Sequence, residues 1–222
     1  MKTVTPNTAR TTAPKLLVLG ATGPTGRLVV AQAIERGYDV AALVRSTEKA
    51  KSLTGVSFVV GDATNPETVR RAVKGQDAVI STLGTPASPF REVTLLSSAT
   101  QALVNVMKEE RVPRLIAITG VGAGDSAGHG GFLFDNLILP LLLRNVYTDK
   151  NRQEAIIKDS GLDWTIVRPS ILNNKRGRGT ARALTDLKQF HGGTIAREDV
   201  AKFVVDELTT GTWRGQSPLI TW

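Results

Sequence analysis

Short apolar runs alternate along this chain with longer stretches whose apolar residues recur at helical spacing. The runs Lys15–Leu19, Asp39–Val44, Val56–Val60, Ala78–Thr82, Leu115–Thr119 and Trp164–Val167 carry Val, Ile and Leu at both parities. Strands covered on both faces have this composition. Pro218–Thr221 reads as a last short strand. Helical spacing runs over Thr25–Arg36, with Gly37 as a stop, and over Pro66–Val73, with Asn65 in the N-cap position and Pro66 in the first turn. Between Val93 and Glu110, the residues Leu95, Leu96, Ala99, Ala102, Leu103, Val106 and Met107 form one apolar stripe. Thr148–Ser160 and Glu198–Leu208 complete the helices. Strand and helix in repeated alternation predict an α/β fold, a parallel sheet with helices on both faces. Right-handed crossovers then place a ligand at the carboxyl ends of the strands.

Two regions break the rhythm, and both follow strand ends. One is GVGAGDSAGHGG at 120–131 with the apolar run behind it; the other is Leu172–Gly193, basic and rich in turn residues. They are expected to overhang the same crevice. No repeat or linker divides the chain. The expected organisation is a polar, threonine-rich lead-in over 1–13 without regular structure, then one domain over 14–222 with a small C-terminal substrate-side region.

Composition narrows the chemistry. The 222 residues include no cysteine, which excludes disulfides, thiolate metal sites and cysteine nucleophiles. His129 and His191, the two histidines, lie too far apart in sequence for a metal-ligand pattern, so no metal is expected. His129 has the pKa range for proton transfer, or is simply solvated. No stretch has the length and apolarity of a signal peptide or a membrane span, consistent with a cytoplasmic protein. The net charge of +8 can mean nucleic acid, an acidic membrane or an anionic ligand, or simply a solubilising surface. No nucleic-acid-binding motif accompanies it, and neither nucleic acid nor membrane is expected as a partner.

The sharpest motif is GATGPTG at 20–26, behind the run Leu16–Leu19 and ahead of a helix. Glycines there permit a turn of positive φ and let backbone approach a pyrophosphate. The helix start near Thr25 offers unpaired N–H groups and a positive dipole end to that anion. The bland reading is an ordinary strand-to-helix turn. The dinucleotide reading draws on Gly20, Thr22, Gly23, Pro24, Thr25 and Gly26. At the end of the second strand, where NAD enzymes place an acid for the ribose 2′-hydroxyl, stand Arg45 and Ser46. A guanidinium there suits a 2′-phosphate and argues for NADP(H). The bland reading of Arg45 is a surface arginine after a strand; Arg27 is a second candidate cation or faces solvent.

GATGPTG, LVRS at 43–46, VGDAT at 60–64, GQDAVISTLGT at 75–85, SGLDWTIVRP at 160–169 and AREDVA at 196–201 form an ordered set. With that set the chain resembles the NAD(P)-binding, NmrA-like atypical short-chain dehydrogenase/reductases, and is similar to biliverdin reductase B, also called NADPH flavin reductase. The likeness runs from about Pro14 to about Leu208. It implies a Rossmann-like doubly wound sheet, with Asp62 and Ala63 at the adenine, and Leu83, Gly84 and Thr85 near the adenosine ribose. It places Thr119 and Gly120 at the nicotinamide side, with Pro169 also on the cofactor. The flavin-reductase relatives carry a serine where this chain has Gly120.

Many reductases of this superfamily use a Tyr-x-x-x-Lys pair, in which the tyrosine exchanges a proton with the substrate oxygen. Here Tyr147 is followed four residues later by Asn151, and Lys150 comes one residue early. Residues three apart still share a helix face. Tyr147 is therefore a candidate proton donor or a packing residue at a helix start. Lys150 is a candidate catalytic residue and a candidate contact to ribose or phosphate. The run from Phe132 to Leu143 reads as a substrate wall, a lid, or a packing or subunit-contact helix. Phe132, Phe134 and Asn173 are the candidate substrate residues. Between 172 and 197 stand six Lys or Arg and one acid, Asp186. This excess suits an anionic substrate, the cofactor phosphates or a solvated loop.

The expected activity is hydride transfer from NADPH to a small or planar acceptor such as a flavin, quinone, tetrapyrrole or related carbonyl compound. The partner is then a small molecule, and the protein a monomer or homodimer. The alternatives are a non-catalytic NADP(H)-sensing module and a sugar-nucleotide epimerase-like enzyme.

Overall fold

The structure, a computed structural model, describes residues 13–222. The lead-in expected over 1–13 lies outside them, Ala13 excepted. The chain order is β1 (Lys15–Leu19), α1 (Pro24–Glu35), β2 (Asp39–Val44), β3 (Val56–Val60), α2 (Pro66–Val73), β4 (Ala78–Ser81), α3 (Leu95–Glu109) and β5 (Arg114–Ile118). A π-helical segment (Phe134–Leu143) then leads into α4 (Arg144–Lys158). After it come β6 (Asp163–Pro169), β7 (Ile171–Asn173), β8 (Arg182–Leu184), β9 (Thr194–Ala196), α5 (Arg197–Thr210) and β10 (Leu219–Thr221).

Eight strands form one sheet in the order β3-β2-β1-β4-β5-β6-β10-β8. All neighbours pair in parallel except β10 with β8. The first six strands follow the Rossmann order 3-2-1-4-5-6, whose chain reversal between β1 and β4 opens a crevice at the carboxyl ends. Alternate residues supply two cores. Leu16 and Val18 face Val29, Val30 and Ala33 of α1 and Val200, Val204 and Val205 of α5. Leu17 and Leu19 face Val69 and Val73 of α2 and Leu103, Val106 and Met107 of α3. The both-parity apolar strands are thus double-faced, as period-two geometry requires.

Several expectations need correction. β3 is an edge strand, with Phe58 37% and Val60 48% exposed, so its apolar composition does not mean burial on both faces. The sheet is not wholly parallel, because β8 returns antiparallel along β10. The region 172–193 contains β8, while β7 and β9 flank it as a separate two-stranded ribbon. Strands of three residues are too short to show periodicity in sequence. Helix α4 starts at Arg144, so Tyr147 sits inside the first turn rather than ahead of it. The Asn65 cap forms as expected: its Oδ1 accepts from the N–H groups of Glu67 and Thr68.

Candidate functional site

A crevice of about 600 Å³ opens over the carboxyl ends of β1, β2, β4 and β5. Its floor at one end is the β1–α1 turn. Gly23 N–H closes that turn onto the Gly20 carbonyl at 2.9 Å. Gly20 has φ +77°, and a Cβ there would stand 2.7 Å from Thr82 Oγ1. A Cβ on Gly26 would run into the Gly20 carbonyl oxygen. Both glycines are therefore required by close approach, and at Gly20 also by the left-handed backbone. Pro24 occupies the first turn of α1, Gly23 is its N-cap, no side chain caps it, and its first turn holds no acid. The positive end of the helix is left to whatever enters the crevice, which fits an anionic group such as a pyrophosphate.

The crevice continues past Arg45 at the end of β2 and past Gly61, Asp62 and Ala63 after β3. The Arg45 side chain is exposed and makes no hydrogen bond or ion pair among the described residues. Arg27 is engaged elsewhere: it donates to the Thr22 carbonyl (3.0 Å), the Lys49 carbonyl (2.9 Å) and the Ser52 hydroxyl. It ties the glycine turn to the loop beyond β2 and is not a free cation for a phosphate. Asp62 Oδ1 accepts from the backbone N–H and the hydroxyl of Thr64, both at 2.8 Å. These bonds, the backbone one foremost, hold its carboxyl below the usual range. The Asp62 side chain thus makes a turn contact to Thr64, at a position that also lines the crevice.

At the other end, Leu83, Gly84 and Thr85 line one wall, and Thr119 and Lys150 the other. The Lys150 ammonium donates to the Thr119 carbonyl at 2.8 Å. Burial pulls its pKa down to about 8, against the raising pull of Glu154 and Asp149. Thr119 Oγ1 donates to Glu154 Oε1 at 2.7 Å. Glu154 pairs with Arg168 through Arg168 Nε to Oε1 (3.0 Å) and Nη2 to Oε2 (2.6 Å), with Arg168 only 1% exposed. Burial works against the Arg168 charge, yet the Glu154 carboxylate, with Asp125, prevails and its pKa is raised. A buried ion pair thus stands directly behind the residue that positions Lys150.

Tyr147 and Lys150 do approach one another, with the ammonium 5.9 Å from the ring centroid. Tyr147 lies outside the crevice lining, its hydroxyl 3.2 Å from where a Cβ on Gly120 would stand. Burial pushes its pKa up to about 12, with Asp135 adding to the rise. It also packs edge-on against Phe134, at 5.9 Å between centroids. Asn151, which replaces the usual lysine, accepts from the Gly124 N–H at 2.8 Å and so anchors the 120–131 loop.

Ser46, Gly120, Pro169 and Asn173 also lie outside the lining. Ser46 Oγ accepts from the Glu48 N–H, the Pro169 carbonyl accepts from the Val121 N–H, and Asn173 Oδ1 accepts from the Lys175 N–H. Phe134 is buried against the glycine loop, and Phe132 is 86% exposed. The two aromatic residues expected to share a substrate wall therefore part company. Lining residues that sequence reasoning missed include Gly61, Thr82, Leu95, Leu172 and Arg197. Arg197 opens α5 and donates to Asn174 Oδ1 at 2.6 Å. It stood in the AREDVA motif, but only the return of β9 and α5 brings it to the crevice. No group of three or more His, Cys, Asp or Glu able to hold a metal occurs among the described residues.

Residues 20–210 match the model of the NAD(P)H-binding family, and the chain belongs to that family. It is 32% identical over 200 residues to the uncharacterized sugar epimerase YhfK of Bacillus subtilis, across 87% of each chain. ChuY, an anaerobillin reductase from Escherichia coli O157:H7, superposes with a TM-score of 0.80 at 22% identity, over 93% of this chain and 96% of its own. A short-chain dehydrogenase/reductase from Veillonella parvula, solved in complex with NADP, does so at 0.74 and 18% identity, over 94% of each chain. At those identities the structural likeness speaks for the fold. The protein is an NAD(P)H-binding protein of Rossmann-like fold. No helix among the described residues is long and apolar enough to cross a membrane.

Proposed function

We propose that this protein is an NADPH-dependent reductase that passes hydride to a small or planar acceptor, a flavin, quinone, tetrapyrrole or related carbonyl compound. The observation that carries the cofactor choice is Arg45: an unpaired guanidinium at the carboxyl end of β2, lining the crevice where NAD enzymes present an acid. In this reading Gly20, Thr22, Gly23, Pro24, Thr25 and Gly26 hold the pyrophosphate, and Arg45, with Ser46 beside it, faces the 2′-phosphate. Asp62 and Ala63 flank the adenine, and Leu83, Gly84 and Thr85 the ribose. Thr119 and Lys150 stand at the nicotinamide end. The nicotinamide supplies the hydride; the chain binds, orients and excludes water. With its pKa pushed up to about 12, Tyr147 keeps its proton through the neutral range and is a poor proton donor to the acceptor there. The proton that accompanies hydride then comes from solvent or from Lys150, whose pKa of about 8 suits exchange.

The binding claim is tested by calorimetric titration with NADPH and NADH at matched salt. Arg45→Ala should lose roughly ten- to a hundredfold in NADPH affinity, the range for a charged hydrogen bond, and leave NADH unchanged. Equal weakening of both would remove the 2′-phosphate assignment. Steady NADPH oxidation with a panel of flavins and quinones separates the enzyme from a sensing module. The sensing alternative is favoured by one feature, Asn151, spent on the Gly124 N–H where a catalytic lysine would stand. No turnover with tight NADPH binding would select it.

A further inference from the structure

The π-helical segment presents an apolar face that nothing in the described chain covers. Phe132, Leu133, Leu137, Leu141 and Leu142 are between 49% and 86% exposed. Phe134 alone of that stretch is buried, so the segment is not the core-packing helix weighed from sequence. Asn145 donates to the carbonyls of Ser88 and Pro89, which brings Phe90, 96% exposed, beside the carboxyl end of the segment. Isolated exposed apolar residues are ordinary on a protein surface, whereas a contiguous set with two bare phenylalanines marks a contact site.

The charges around the face identify its occupant. Arg91 and Arg144 border it, both exposed, and neither guanidinium makes an ion pair among the described residues. Two acids lie nearby. Glu92 pairs with Arg152 at 2.9 Å, and Asp135 accepts from the Gly130 N–H at 3.2 Å. A two-fold contact between copies through this face would bring four of these guanidinium groups into one interface against a single segment carboxylate, Asp135, from each copy, which is costly. An anionic lipid surface offers hydrocarbon to the leucines and phenylalanines and phosphate to the arginines, and it attracts a chain of net charge +8. The segment is ten residues long, so it would lie in the plane of the interface rather than cross.

We infer that Phe90 and the Phe132–Leu142 face form a docking site for an anionic bilayer surface, with Arg91 and Arg144 as its headgroup contacts. This differs from the purely small-molecule partnership expected from sequence, and it does not rest on the cofactor reading. The test is co-sedimentation of the full chain with vesicles of phosphatidylcholine alone or mixed with roughly one third phosphatidylglycerol. The expected result is binding to the mixed vesicles that weakens at least about tenfold between ~0.1 and ~0.5 M salt. The same loss is expected for Leu137→Ser/Leu141→Ser/Leu142→Ser and, independently, for Arg91→Glu/Arg144→Glu. Unchanged thermal melting and circular dichroism of the variants show that the fold survives. If the leucine variant does not fold, the arginine variant decides alone. Absence of sedimentation with either vesicle, or equal binding by wild type and the arginine variant, overturns the inference. So does a concentration-dependent dimer that the leucine variant dissolves without any lipid binding, which assigns the face to a second copy.

Discussion

At the β1–α1 end of the crevice the walls are backbone. Gly20, Gly23 and Gly26 bring main chain to within contact of itself and of Thr82, and the groups offered to a ligand are the N–H groups of an uncapped helix. At the Lys150 end the walls are side chains held by other side chains. Lys150 rests on the Thr119 carbonyl, the Thr119 hydroxyl on Glu154, and Glu154 on Arg168. Asn151 pins the glycine loop, and Asp149, fully buried, accepts from the N–H groups of Leu96 and Ser97 at the start of α3. The first end fails when a Cβ is added. The second fails when a partner is removed, because a buried charge then loses its buried counter-charge.

The largest effect should come from the second end. Glu154→Ala leaves Arg168 buried with only the exposed Asp125 as its carboxylate partner, and is expected to cost about 3–5 kcal/mol in urea denaturation. A loss under about 1 kcal/mol would mean that the pair is not the support of that wall. At the first end, Gly20→Val combines a left-handed φ with a collision at Thr82, and should cost about 2–3 kcal/mol while abolishing measurable NADPH binding. Retained affinity would show that the turn does not hold the pyrophosphate.

The third effect is a slope with pH. Burial draws Lys150 from 10.5 to about 8, so between these values the unfolded chain holds a proton that the folded chain has released. Stability of the wild type should therefore rise with pH across that window, and Lys150→Met should flatten the rise. Denaturation midpoints at matched salt measure it; identical slopes would remove Lys150 from the buried wall. The smallest effect lies beside the crevice. Asn65→Ala removes the α2 cap, expected to cost about 1 kcal/mol by the same denaturation assay and to leave NADPH titration unaltered.

The two ends also differ in how far the chain's order of residues revealed them. GATGPTG, the strand before it and the helix after it are adjacent in sequence, and the geometry that matters there is set by glycine and proline themselves. The first six strands, helices α1–α5 and the Asn65 cap were legible for the same reason: period-two and helical spacing act within a few residues. The role of Arg27 is not legible in sequence because it depends on the Lys49 carbonyl and Ser52, more than twenty positions away. Arg197 and Leu172 were passed over because they reach the crevice only after the β7–β9 ribbon forms.

The residue order alone determined the alternating strands and helices, the glycine turn, and the absence of an acid at the end of β2. Each depends on local backbone preference or on which residue stands at a strand end. Only the tertiary structure decided that Glu154 and Arg168 support Thr119 and Lys150, and that Asn151 anchors the 120–131 loop. It also decided that the Phe132–Leu142 face turns outward. Those outcomes rest on contacts between distant segments, where burial and pairing of charge, not local preference, choose the partner.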